Sequence, residues 1–126
     1  MVNDTIADFL ARMQNGIMRE KKDIRVLKTR LIEDILGILK KEGMVKDYEV
    51  KEDEIIVNPI YKDGEPVVSK FQRISSPGQR IYVNVSDIVP VMNGRGIAII
   101  STSQGLMTGA LAKSKSIGGE YICNIW

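Results

Sequence analysis

Catalysis by a nucleophile needs an activated side chain, and this sequence arranges none. It has no histidine, so no imidazole serves as a general base. None of its serines has a lysine three residues on to take that role. Its one cysteine, Cys123, lies in an apolar stretch and reads as a small core residue. One cysteine and no histidine exclude a disulfide scaffold and the usual zinc ligand sets. Carboxylates adjoin at Glu33-Asp34 and at Glu52-Asp53-Glu54, where they read as solvated faces. Gly94-Arg95-Gly96 fails as a dinucleotide loop. Isoleucine fills the third glycine position, and the motif precedes an apolar strand instead of following one. No Gly-Lys-Ser/Thr sequence is present. The sequence therefore predicts no enzyme, no metal and no cofactor.

The chemistry that remains is hydrogen bonding and charge. Ser101-Thr102-Ser103-Gln104-Gly105-Leu106-Met107-Thr108 places four hydroxyls and an amide within eight residues. Such groups bond phosphate oxygens, ribose hydroxyls and base edges. Gly105 lacks a Cβ and lets another backbone or a ligand approach closely. The same composition also describes an ordinary polar loop between a strand and a helix. A second cluster is Ser75-Ser76-Pro77-Gly78-Gln79-Arg80-Ile81-Tyr82. Arg80 suits a phosphate there, and Tyr82 suits stacking or donation. A hairpin with a surface Arg and a half-buried Tyr fits as well. The third is the basic stretch with Arg19, Lys21, Lys22, Arg25, Lys28 and Arg30, which also fits a solvated flank.

Charge is unevenly spread. The chain carries +2 overall. Residues 1–65 hold 12 Lys/Arg against 14 Asp/Glu, a net of −2. Residues 66–126 hold 6 against 2, a net of +4, their only acids being Asp87 and Glu120. That points weakly to an anionic partner for the second half.

Several elements must position these groups. Ile6, Phe9, Leu10, Met13 and Ile17 predict a helix over 5–17, capped by a Thr5–Asp8 box or by Asp4 and weakened at Asn15-Gly16. Ile24–Leu27 reads as a short strand. Leu31, Ile32, Ile35, Leu36, Ile38 and Leu39 predict a helix over 30–42, with Thr29 as N-cap and Gly43 past its end. Strands follow at 44–50 and 55–60, Pro59 putting the second one's end at an edge or outside the ladder. Lys62–Pro66 is the best linker candidate. Arg80–Val85 is expected to pair with Lys70–Ser75 across the Pro77-Gly78 turn. Ser86 is expected to cap a helical turn through Ile88. Ile97–Ile100 reads as a central strand and Thr108–Lys115 as a capped short helix, stopped by Gly118-Gly119. Tyr121–Trp126 reads as a final strand. The apolar runs are far short of the ~20 residues that span a bilayer, and the first residues lack a secretory h-region. The expected place is a cytosol or organelle matrix, with Cys123 reduced.

These residues resemble a known family, small-subunit ribosomal protein eight. The resemblance rests on Ile100-Ser101-Thr102-Ser103-Gln104-Gly105-Leu106-Met107-Thr108, then Gly118-Gly119-Glu120 and Trp126. Asp4-Thr5-Ile6-Ala7-Asp8 with Arg12 and Asn15, Gly43, Ser76-Pro77-Gly78 with Arg80-Ile81-Tyr82, and Asn93-Gly94 with Gly96-Ile97 match in family order. The match spans the whole chain. It implies an α+β fold of two packed subdomains. Residues 1–65 would form a helix-strand-helix-hairpin unit, and residues 66–126 a mostly antiparallel β unit with short helices.

The resemblance also implies a structural, primary rRNA-binding protein of the small ribosomal subunit. Its RNA partner would be a central-domain helix of small-subunit rRNA, beside neighbouring ribosomal proteins, in a bacterial cytoplasm or an organelle. The alternative is a repressor bound to its own operon message outside the ribosome. RNA contact is implied for Ser101, Thr102, Ser103 and Gly105, with Tyr82 and Glu120 nearby. The resemblance further implies a second RNA-facing surface, on which Thr5, Arg12 and Lys28 would lie. Glu120 would orient a backbone donor or hydroxyl, or accept from a base amino group. Gln104, Gly109 and Arg95 depart from the residues common at those positions.

Overall fold

Capping side chains and apolar stripes decide where the first elements begin. A computed structural model describes residues 4–126 of the chain. Asp4 Oδ1 accepts from the Ala7 N–H at 3.0 Å and caps α1, Thr5–Met18, so Thr5 lies inside the helix. Phe9, Leu10, Met13 and Ile17 form its buried face. Thr29 Oγ1 accepts from the Ile32 N–H at 3.1 Å and caps α2, Arg30–Lys41, which buries Ile32, Ile35, Leu36 and Leu39. Burying one such aliphatic side chain contributes about 1.5–3 kcal/mol.

The chain divides into two compact units, one reaching Ser69 and the other running from Lys70 to Trp126. In the first, β1 (Ile24–Leu27), β2 (Val45–Val50) and β3 (Glu54–Pro59) form an antiparallel sheet in the order β1-β3-β2. Ile24 pairs with Val57 and Val26 with Ile55, so four buried side chains share one face. β3 is central, and Pro59 ends it beyond Val57, where β1 has already stopped. A proline without an N–H is tolerated there, opposite Val45 alone. Residues 62–66, which read as a linker, instead belong with Tyr61 to a small hairpin of β4 (Tyr61–Lys62) and β5 (Glu65–Pro66). Asp63 and Gly64 turn it with positive φ.

The three α-helices among the described residues end with the same pair of backbone bonds. The N–H two residues past the cap reaches back to the carbonyl three from the helix end, and a left-handed residue sits between. At α2 that residue is Gly43, with Met44 N–H bonded to Leu39 O at 2.8 Å. At α1 it is Glu20, with Lys21 N–H bonded to Gly16 O at 2.9 Å. Gly16 therefore does not end the helix. It is buried, and a Cβ there would come within 2.5 Å of Ile24 Cδ1. At α3, Gly109–Ser114, the left-handed residue is Ser116, with Ile117 N–H bonded to Ala112 O.

The second unit is a sheet in the order β6-β10-β8-β9, from β6 (Phe71–Arg73), β8 (Ile97–Thr102), β9 (Gly105–Thr108) and β10 (Gly119–Ile125). β7 (Tyr82–Val83) joins β10 beside β6. Here the expected hairpin is corrected. β6 and β7 do not pair with each other; they take successive stretches of one edge of β10, at 123–125 and 119–120. In place of a ladder, the Pro77-Gly78 turn has a single bridge, between Ser76 and Gln79. The core on one side gathers Ile88, Val91, Ala98, Ile100, Met107 and Ala112, with Val83, Tyr121 and Trp126 packed against it. Ser86 lies within a short 3₁₀ turn, Val85–Asp87, which has no side-chain cap. Gly118 and Gly119 do not stop α3. A Cβ on Gly118 would lie 2.4 Å from Val83 O, and one on Gly119 would lie 2.2 Å from Ser101 O. Both glycines let β7 and β8 approach β10.

Candidate nucleic-acid interface

The hydroxyl-rich segment is a hairpin tip, not a strand-to-helix loop. Thr102 pairs with Gly105, so only Ser103 and Gln104 form the turn between β8 and β9. Thr102 Oγ1 donates to Gly105 O at 2.8 Å and accepts from the Gln104 N–H at 3.1 Å. Gly105 takes φ +106°, a conformation that L side chains rarely adopt. The turn is thus held from inside by Thr102. Ser103, Gln104 and Gly105 stay exposed. Thr108 is buried and does a different job, accepting from the Leu111 N–H at 3.2 Å to cap α3.

Strand register brings three further site residues beside that tip. Glu120 on β10 lies opposite Ser101 on β8 and opposite Tyr82 on β7. Ser101 in turn lies opposite Leu106 on β9. Directly opposed residues share a face, so Tyr82, Glu120, Ser101 and Leu106 make one row across four strands. Tyr82 is 70% exposed. Arg80 bonds through Nη1 to both oxygens of Glu120 at 3.2 Å. Its guanidinium is therefore already paired, and Glu120 faces Arg80 instead of a backbone donor or hydroxyl.

Ser75 is the residue that sequence reasoning undervalued. It is buried, and its hydroxyl accepts from the Ile81 N–H at 2.8 Å and donates to Ile81 O at 3.3 Å. The arms of the Pro77-Gly78 turn are pinned by a side chain where a ladder was expected. The signal was a serine directly before Ser-Pro-Gly, a position that favours side-chain to backbone bonds.

Thr5, Arg12 and Lys28 belong to the first unit and stand at three places in it. Thr5 opens α1, Arg12 sits mid-helix with Nε on Asp8 Oδ2 at 2.9 Å, and Lys28 is exposed just after β1. A groove of about 340 Å³ there is lined by Arg12, Arg19, Lys21 and Arg25, with Asp23 as the acid. Its basic loop is tied to the sheet. Tyr61 Oη donates to Lys21 O at 2.7 Å, and Asn58 Nδ2 donates to Lys22 O at 3.2 Å and to Asp23 Oδ1 at 2.7 Å. Burial, with the charge of Glu20, pushes the Tyr61 phenol up and keeps it a donor.

Cys123 is fully buried, and desolvation pushes its thiol up to about 12. It holds no thiolate at neutral pH, so it has no nucleophilic role. Among the described residues no cluster of three His, Cys, Asp or Glu is placed to hold a metal ion, and no helix is long and apolar enough to cross a membrane.

Comparison with known proteins adds an independent line. Residues 4–126 match a family model described as Ribosomal protein S8. The chain is 43% identical over 126 residues to "Small ribosomal subunit protein uS8" of Desulfovibrio desulfuricans, covering 100% of both chains. It is 42% identical, again over 100% of both, to the protein of that name from Oleidesulfovibrio alaskensis. It is 40% identical, with the same coverage, to "Small ribosomal subunit protein uS8c" of Ostreococcus tauri.

Proposed function

The chain belongs to the ribosomal protein S8 family, and from that premise we propose that it binds an irregular helix in the central domain of small-subunit rRNA and supports subunit assembly. The family is one of structural ribosomal proteins, not enzymes. The small subunit of a bacterial or organellar ribosome is its place of work.

One observation carries this reading: the row Tyr82, Glu120, Ser101 ends at the braced tip Thr102–Gly105. Regular RNA helices hide base edges in a narrow major groove, so sequence-specific readers use unstacked sites. Short hydroxyls on a braced turn lose little side-chain entropy on contact. Ser101 and Ser103 supply donors and acceptors, Thr102 braces the turn and keeps one acceptor lone pair, Gly105 admits a close backbone, and Tyr82 offers an exposed ring. Lys28 in the first unit, Thr5 at the start of α1, and Arg12, which is bonded to one oxygen of Asp8 through Nε alone, supply phosphate contacts that set register more than sequence.

A binding titration tests this, using the isolated central-domain helix at two salt concentrations. A helix with its internal loop scrambled is the control, and the chain's own operon message is the competitor. Tight binding that survives moderate salt and needs the internal loop is expected. Equal binding to both helices, collapsing with salt, would leave only phosphate attraction and sink the reading.

A further inference from the structure

We propose that Glu120 determines specificity by holding Arg80 in a neutral pair, so that Arg80 adds nothing to indiscriminate phosphate binding. The proposal rests on the RNA-binding reading above and deepens it. Glu120 is one of only two acids from Lys70 onward. A carboxylate at the centre of an RNA-facing row is electrostatically adverse, because every phosphate repels it. The Glu120 side chain is only 15% exposed, whereas that of Arg80 is 54% exposed. The acid lies beneath and the base lies over it, with Nη1 3.2 Å from both oxygens.

Both ends of the pair stand on fixed backbone. Arg80 directly precedes Ile81, whose N–H is bonded to Ser75 Oγ and whose carbonyl accepts from Tyr121 N–H at 2.8 Å. Glu120 is paired on both sides, with Tyr82 and with Ser101. Gly119 beside it admits no side chain against the Ser101 carbonyl. The ion pair therefore needs little further ordering, unlike a pair between two mobile surface chains.

The functional effect follows from what is taken away. A free arginine here would meet a phosphate of any RNA and release a counterion. Neutralised, it leaves the uncharged hydroxyls of Ser101, Thr102 and Ser103 to decide between RNAs. Discrimination is a difference of affinities, so weakening the wrong complex serves it as well as strengthening the right one. Glu120 is thus a positioning residue that acts through Arg80.

The test compares wild type, Glu120→Gln, Arg80→Gln and the double variant on the irregular helix and on its scrambled control across a salt series. Glu120→Gln is expected to bind the scrambled helix about tenfold tighter at low salt, with a salt slope steeper by about one. The preference for the irregular helix then falls about tenfold. Arg80→Gln leaves the acid uncompensated and should weaken binding to both RNAs, with a shallower slope. The double variant should return to the wild-type slope. Wild-type slope and preference in Glu120→Gln would overturn the proposal. Equal wild-type binding to both RNAs would instead overturn the RNA reading, while the slope difference on the scrambled helix still reports the pair.

Discussion

At Ser103 the side chain is exposed at a turn that Thr102 already braces. Ser103→Ala should therefore leave thermal stability unchanged and weaken binding to the irregular helix by ~1–3 kcal/mol, the cost of leaving an RNA partner unpaired. A titration beside a melting curve separates the two effects. Cys123 gives a prediction of the opposite kind, on stability alone. Its thiol titrates near 9.0 when solvated and is pushed up to about 12 by burial in the fold. Between those values the unfolded chain has lost the proton and the folded chain keeps it. Stability is therefore full below about pH 9 and falls as pH rises, by roughly 1 kcal/mol per pH unit from this group. Tyr61 and Tyr121, both pushed up by burial, act with the same sign. Denaturant midpoints measured up that pH range should fall less steeply in Cys123→Ala than in wild type.

Among the elements, the periodic ones were legible and the irregular joints were not. α2 reads from Thr29 to Gly43 because the cap, apolar stripe and terminal glycine agree. The ends of α1 and α3 do not, since Glu20 and Ser116 occupy the left-handed position that a sequence reader assigns to glycine. The β8–β9 hairpin was hidden because Ser103-Gln104 is not one of the usual turn pairs; the later Gly105 was its only signal. The row from Tyr82 to Glu120 to Ser101 depends on register between strands far apart in the chain, which no local pattern encodes. Glycine at 116 should relieve the left-handed strain and lose part of the gain to unfolded-state entropy. Ser116→Gly is expected to stabilise the second unit by about 0.5 kcal/mol in a denaturant melt.

For the molecule as a whole, the proposed RNA reading assigns charge and shape recognition to different residues. Arg19, Lys21 and Lys22 are exposed on the loop that Asn58 and Tyr61 hold to the first sheet. Changing all three to Ala should lower the salt slope by about one for each lost phosphate contact. Binding to the irregular and scrambled helices should weaken alike, unlike the effect of Ser103→Ala. A salt series on both RNAs checks it, and a selective loss on the irregular helix would count against the assignment. The unit from Lys70 holds 6 basic residues against Asp87 and Glu120, with Glu120 already engaged by Arg80.

The position of β10 has a consequence for how the chain is made. β6, β7 and β8 all pair with it, and all precede it in the sequence. During synthesis they must wait, their strand edges open, until residues 119–125 emerge. The β8–β9 hairpin closes locally and needs no such delay. The tip Thr102–Gly105 can thus form before β10 has docked against β8. The row beside it is completed last, by the strand that also seals the edges most exposed to misassociation.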